Sequence, residues 1–329
     1  MENGTKIVNL DECEYSDRHG TYGGQAGLKD GIVYHGENWL VKYPKSTKGM
    51  SVDGLSYTTS PLSEYIGSHI YGLLGLDTHE TMLAVRNGRL VVACKDFRAD
   101  DEMLIEIRTI KNAANKELAE RLDRDFSETG SQHMINLEEL LLHLENNDIL
   151  RSVNGIKERF WNCVIVDILI NNNDRNNGNW GIIRRKNCPD RLAPIFDNGA
   201  CFSNKMPEEK VVNMLRSDEA IKASALNTVT GFCMKGKMLS AKNILEIDNA
   251  DLKASVIEMV PRIKDNIERI KSFVNSIPEK YNELYVCGKA RAEFYNRCME
   301  CRMKYLLEPV YQKALEDVKG QQPNQHRGR

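Results

Sequence analysis

Asn171-Asn172-Asn173-Asp174-Arg175-Asn176-Asn177-Gly178-Asn179 is the stretch on which the fold of this 329-residue chain turns. Residues 155–170 lead into it with Ile156, Phe160, Trp161, Val164, Ile165, Ile168 and Leu169 at helical spacing, which predicts a long buried helix. Two strand-like runs follow, residues 180–184 and 192–196, around a turn at Lys186-Asn187-Cys188-Pro189-Asp190. The polar run is then a tight loop between a buried helix and a strand. An Asn- and Asp-rich run is by itself more often a plain turn. What lifts it above that is a carboxylate, Asp174, five residues before a carboxamide, Asn179.

A carboxylate on such a loop can accept or orient the proton of an attacking hydroxyl, and a carboxamide can reach a metal ion. The spacing equals that in the kinase catalytic-loop pattern His-Arg-Asp-x-x-x-x-Asn. Asp197, in Ile195-Phe196-Asp197-Asn198-Gly199, follows the strand pair where a kinase places its metal-binding aspartate. Mg²⁺ takes hard oxygen ligands and few of them from protein, which suits Asn179 with Asp197. Upstream, Lys42 alternates with apolar residues in Trp39-Leu40-Val41-Lys42-Tyr43, and Glu64 lies off the apolar stripe of the next helix. A surface lysine and a helix-start carboxylate are the ordinary explanations. As a pair they can hold an ammonium against nucleotide phosphates. Gly20-Thr21-Tyr22-Gly23-Gly24-Gln25-Ala26-Gly27 precedes them, and backbone without Cβ atoms, as at Gly23 and Gly24, can approach a phosphate closely. It matches neither the dinucleotide-binding nor the P-loop glycine pattern.

The surroundings are consistent with this order. Residues 31–43 read as a hairpin around His35-Gly36-Glu37-Asn38. Ser60-Pro61 starts a helix with Ser60 as its cap, and Gly75 stops it. Asn87-Gly88 turns a second hairpin, residues 82–94. After Phe97 the texture becomes helical, so the expected division is an N-terminal nucleotide-binding lobe, 1–97, and a helical C-terminal lobe, 98–318. From Pro207 onward that lobe reads as helices broken at Pro261 and Pro278, and residues 319–329 as a polar disordered tail.

Composition excludes several classes. Lys and Arg total 45 against 47 Asp and Glu, a net charge of −2, so the basic excess of a nucleic-acid binder is missing. No apolar run reaches the length of a membrane span, and no signal-peptide core opens the chain. The expectation is a cytoplasmic protein, with export by a non-classical route left open. Nine scattered cysteines, an odd number, read as reduced thiols. Cys298 and Cys301, one helical turn apart, lack the second pair that zinc requires, and His79-Glu80 has no His at 83.

At Trp39-Leu40-Val41-Lys42-Tyr43-Pro44, Ser63-Glu64-Tyr65, Gly75-Leu76, Val91-Val92-Ala93-Cys94-Lys95-Asp96-Phe97, Asn172-Asn173-Asp174-Arg175, Asn177-Gly178-Asn179-Trp180-Gly181 and Ala193-Pro194-Ile195-Phe196-Asp197 the chain resembles the HipA-like protein kinases, and among them the CtkA branch. The likeness covers residues 20 to 200 in order. It implies an α+β, two-lobed protein-kinase-like fold with ATP and Mg²⁺ between the lobes. It also implies a hinge at Cys94, Lys95, Asp96 and Phe97 whose backbone meets the adenine. In that family the catalytic loop carries Gly where this chain has Asn171 and His where it has Asn176; Asn does not titrate near neutrality as His does. The implied activity is transfer of the ATP γ-phosphate to Ser or Thr hydroxyls of a protein substrate, the chain itself included. Asp174 would be the base, Asn179 and Asp197 the metal ligands, Lys42 the phosphate-holding residue and Glu64 its partner. The alternatives are a catalytically silent ATP-binding toxin or effector module and a small-molecule phosphotransferase. No nucleic-acid or membrane partner is expected, and residues 198–207 are too short for a long phosphorylatable activation segment.

Overall fold

The structure is a computed structural model and describes residues 5–22, 28–52, 54–130 and 134–320. Side-chain alternation builds the first lobe. β1 (Val8–Asn9), β2 (Lys29–Tyr34), β3 (Glu37–Lys42), β4 (Thr81–Arg86) and β5 (Arg89–Lys95) form a sheet in the order β1-β4-β5-β3-β2. His35-Gly36 joins β2 to β3 and Asn87-Gly88 joins β4 to β5, all four residues at positive φ, as two-residue turns matched to strand twist require. Successive side chains leave a strand on opposite faces. Trp39, Val41, Ala84, Val91 and Ala93 therefore share one core with Leu10 and Ile32, while Leu83, Val85, Val92 and Cys94 face the other way, toward α1 (Ser60–Leu73). Lys42 follows Val41 and pairs with Val92, so it belongs to the α1 side.

α1 has Pro61 in its first turn and is followed by Gly75 at φ +72°. Ser60 is not its cap. Thr59 occupies that position without a side-chain bond, and the Ser60 hydroxyl lies 2.9 Å from that of Thr58.

The second lobe begins with β6 (Glu102–Glu106) and α2 (Ile107–Leu122), then β7 (Ile135–Asn136), α3 (Leu137–Asn146), α4 (Asp148–Ser152) and α5 (Ile156–Ile170). β8 (Gly181–Arg185) and β9 (Arg191–Leu192) extend β6 into an antiparallel sheet. After them come α6 (Glu208–Met214), α7 (Asp218–Leu226), the hairpin β10 (Val229–Met234) and β11 (Lys237–Ser240), α8 (Ala241–Leu245) and α9 (Ala250–Asn275). A small hairpin, β12 (Lys280–Tyr281) and β13 (Leu284–Tyr285), precedes α10 (Lys289–Arg302), a π-helical turn (Met303–Leu307) and α11 (Glu308–Gly320). α5 is buried on nearly every side and packs on α9 and α10, which makes it the fixed post from which the polar loop departs. No helix among the described residues is long and apolar enough to cross a membrane.

Several expectations need correction. The helical texture after residue 97 conceals β6, whose Glu-Met-Leu-Ile-Glu sequence is charged at both ends and only partly buried. The second strand of the pair after the polar loop is shorter and earlier than residues 192–196. Ile195 instead makes an isolated parallel bridge with Thr78 of the first lobe. Pro261 does not break its helix. α9 runs through it, with Met259, Val260 and Ile263 buried around it offsetting the lost backbone bond. The region after Pro207 also contains β10 and β11, turned by Lys235-Gly236 at positive φ. α11 continues to Gly320, past the expected start of the tail at 319, and residues 321–329 lie outside those described.

Candidate active site

Lys42 is the junction of the two lobes. Its Nζ lies 3.0 Å from Oε2 of Glu64 on α1 and 3.0 Å from Oδ1 of Asp197. Glu64 is fully buried. Its Oε1 accepts the Asn198 N–H at 2.9 Å and lies 3.1 Å from Nε2 of His79. Burial opposes a charge on Glu64, but Lys42, His79 and the Asn198 N–H together hold its carboxyl well below the usual carboxylate range. Burial likewise works against the Lys42 ammonium, and Asp197 and Glu64 overcome it, so its pKa is raised. Asp197 itself has φ +60°, the left-handed conformation that non-glycine residues seldom adopt, and Gly199 follows it where a Cβ would come within 3.2 Å of Glu64 Oε2.

The polar loop starts where α5 ends. Asn171 caps the helix at φ 53°, ψ 49°. Asp174 then reaches the mouth of the cleft, its Oδ1 accepting from Nδ2 of Asn176 at 3.0 Å. Enclosure in the cleft raises the Asp174 carboxyl above its ordinary value, Asn176 opposing and Asp197 reinforcing the shift. The Asn176 Oδ1 accepts the Gly178 N–H at 2.8 Å, so this one amide clamps the turn and steadies the carboxylate. Asn179 donates through Nδ2 to the Asp174 carbonyl, which leaves its amide oxygen as the end able to meet a cation.

Sequence reasoning missed what holds this loop. Arg175 is buried and fork-bonded to Asp167 of α5, with Nε to Oδ2 at 2.8 Å and Nη2 to Oδ1 at 3.1 Å. The same guanidinium donates to the Asn179 carbonyl at 3.0 Å, the Phe196 carbonyl at 2.7 Å and Asn198 Oδ1 at 2.6 Å. Tyr71 of α1 adds a hydroxyl bond to Asp167 at 2.6 Å. One cation therefore ties the Asp174 loop to the residues on both sides of Asp197. The available signal was Asp167 itself, a carboxylate in the apolar run Val164-Ile165-Val166-Asp167-Ile168, which requires a buried partner.

Lys42, Glu64, Asp174, Asn179 and Asp197 all line one cleft of about 1320 Å³, together with Cys94, Lys95, Asp96 and Phe97. Two of the last four already spend their N–H groups, Lys95 on the Glu80 carbonyl and Asp96 on that of Asn38. Burial opposes charge on Asp96, but Arg98 and Arg18 bring its carboxyl down to about 2. The Phe97 ring packs at a tilt against that of Phe196, next to Asp197, with centroids 5.8 Å apart. Gly23 and Gly24 lie outside the described residues. Cys298 and Cys301 are free thiols, both on α10. With acid, amide, lysine and second acid on one wall set, the cleft has the groups that bind a polyphosphate and move a hydroxyl proton.

No protein-family model matches the chain. It is 27% identical over 313 residues to the serine/threonine-protein kinase CtkA of Helicobacter pylori, covering 94% of this chain and 89% of that one. The crystal structure of the Helicobacter pylori proinflammatory kinase CtkA superposes with a TM-score of 0.80 at 25% identity, over 94% of this chain and 98% of that one. A looser likeness, TM-score 0.46 at 10% identity, is to a HipA–HipB toxin–antitoxin complex with operator DNA from Shewanella oneidensis, over 89% of this chain and 69% of that one. The likeness to CtkA runs along nearly the whole chain, in sequence and in fold, and the chain has the two-lobed fold of a serine/threonine protein kinase similar to CtkA.

Proposed function

We propose that the chain transfers the γ-phosphate of ATP to Ser or Thr hydroxyls of proteins, itself included, with a divalent cation as cofactor. The observation that carries this reading is the convergence of Lys42, Glu64, Asp174, Asn179 and Asp197 on one cleft, with Lys42 held at 3.0 Å from both carboxylates. Lys42 meets the phosphates and Glu64 positions it. The acceptor oxygen attacks the γ-phosphorus, the bond from that phosphorus to the β–γ bridging oxygen breaks, and the hydroxyl proton passes to the Asp174 carboxylate. ADP and a phosphorylated side chain result. The oxygens of Asn179 and Asp197 fit Mg²⁺, which when bound neutralises phosphate charge. In the same reading the lobes divide at residues 97 and 98 and the adenine lies against residues 94–97. Because the Lys95 and Asp96 N–H groups are engaged and β5 is paired on both sides, by β4 and β3, the adenine meets the segment beyond the end of the strand. Free thiols at all nine cysteines suit a reducing cytosol.

The test is ³²P transfer from ATP to the protein itself or to a general acceptor, with mass spectrometry to identify the modified residue. Asp174→Asn and Asp197→Asn are each expected to lose transfer by orders of magnitude, and full activity in either overturns the assignment.

A further inference from the structure

Charge along the cleft wall is matched almost everywhere. Asp96 is paired with Arg18 and Arg98, Lys95 with Glu37 and Glu80, Arg108 with Glu106, and Lys42 with Glu64 and Asp197. Three lysines break the pattern. Lys45, Lys205 and Lys210 line the same cleft as Asp174 and have no ion-pair partner among the described residues. Glu208, three residues after Lys205, is engaged by Arg291. Glu209, exposed beside Lys210, and Asp174 line the same cleft without an ion pair among the described residues.

Their placement is a product of the fold. Lys45 stands in the loop between β3 and α1, and Lys205 and Lys210 stand in the segment after Asp197 and on α6. The two stretches meet across the lobes, where Thr59 N–H donates to the Asn204 carbonyl at 2.8 Å, and Lys45 N–H is tied to the Thr58 hydroxyl at 3.2 Å. Lys45 is half-buried and close enough to act on the Asp174 carboxylate, whereas Lys205 and Lys210 are exposed. Unmatched cations gathered from both lobes around one mouth create a positive field at the place where an acceptor hydroxyl must arrive.

We propose that this mouth selects polypeptide acceptors whose Ser or Thr is flanked by acidic residues, with Lys45, Lys205 and Lys210 as the specificity-determining contacts. This rests on the phosphoryl-transfer reading above but can be tested apart from it. Two fluorescent serine peptides, identical except that the flanking positions are aspartate in one and lysine in the other, are titrated against the protein with Mg²⁺ and a non-hydrolysable ATP analogue, and anisotropy is read at low and high salt. The acidic peptide is expected to bind at least about tenfold more tightly than the basic one, and to lose most of that advantage at high salt. Lys205→Glu/Lys210→Glu, at exposed positions where folding is little affected, is expected to weaken the acidic peptide about tenfold or more. Equal affinity of the two peptides overturns the proposal. So does a double variant that changes nucleotide affinity while the preference for the acidic peptide persists, because the lysines then serve ATP. A preference for the acidic peptide in a protein that transfers no ³²P supports the acceptor assignment and counts only against the phosphoryl-transfer reading.

Discussion

Asn171 and Asn176 stand where the resembling kinases have Gly and His, and the structure explains why the first exchange is mild. Position 171 is left-handed, at φ 53°, ψ 49°, and asparagine is among the few residues other than glycine that visit this region routinely. Asn171→Gly is therefore expected to leave the urea midpoint nearly unchanged, and Asn171→Ala to cost about 1 kcal/mol. Asn176 acts through its bond to Asp174. That bond lowers the Asp174 carboxyl, so Asn176→Ala lets it rise. In the proposed reaction Asp174 works deprotonated, and the acid limb of the kcat/KM profile is expected to move to higher pH; an unmoved limb argues against Asp174 as the base. Arg175 has a structural consequence. Arg175→Met leaves Asp167 buried without its cation, and a loss of about 3–5 kcal/mol is expected in urea unfolding. Arg175→Lys keeps the charge without the fork and should lose less. The acid, amide and lysine that line the cleft were legible in the sequence because each sits in a short motif with its own spacing and order. Arg175 was not, because its partners at 167, 179, 196 and 198 are joined only by folding.

Elements with a clear period were legible and those without one were not. The two hairpins, α1 and α5 carry alternation, an Asn-Gly turn or a helical apolar stripe. β6 has none of these, and β10 and β11 look like the loop and helix around them until Lys235-Gly236 is seen to turn a hairpin. Pro261 misled for the opposite reason: a strong local rule yielded to the packing of a 26-residue helix. The seam between α1 and the segment after Asp197 makes a prediction of its own. A Cβ on Gly67 would lie 2.9 Å from both Asn198 Cβ and Cys201 Sγ. Gly67→Ala is expected to cost about 1–3 kcal/mol of stability, measured by thermal or urea unfolding. It should also lower kcat more than it changes the affinity for ATP, because Asn198 adjoins Asp197. Unaltered kcat and stability would show that the seam can yield.

For the molecule as a whole, pH-dependent stability has an identifiable source far from the cleft. His143 of α3 is fully buried, edge-on to Phe126 at 5.0 Å, and burial pushes it down to about 4, with the Lys111 ammonium adding to the effect. An unfolded histidine titrates near 6.5. Between these values the unfolded chain binds a proton that the folded chain refuses, so stability is intact above about 6.5 and falls as pH drops toward 4, by up to about 3 kcal/mol. His143→Leu is expected to flatten this part of the curve when urea midpoints at pH 7 and pH 5 are compared with those of the parent; a parallel curve would place the proton elsewhere.

Asn198 has no exposure at all and is bonded at once to Glu64, Ser68 and Arg175. Inhibitors that work by swinging Asn198, the residue beside Asp197, outward to open a slot behind it would have to rupture all three attachments together. Drug discovery against this enzyme is better served by flat compounds shaped to the crevice as it stands.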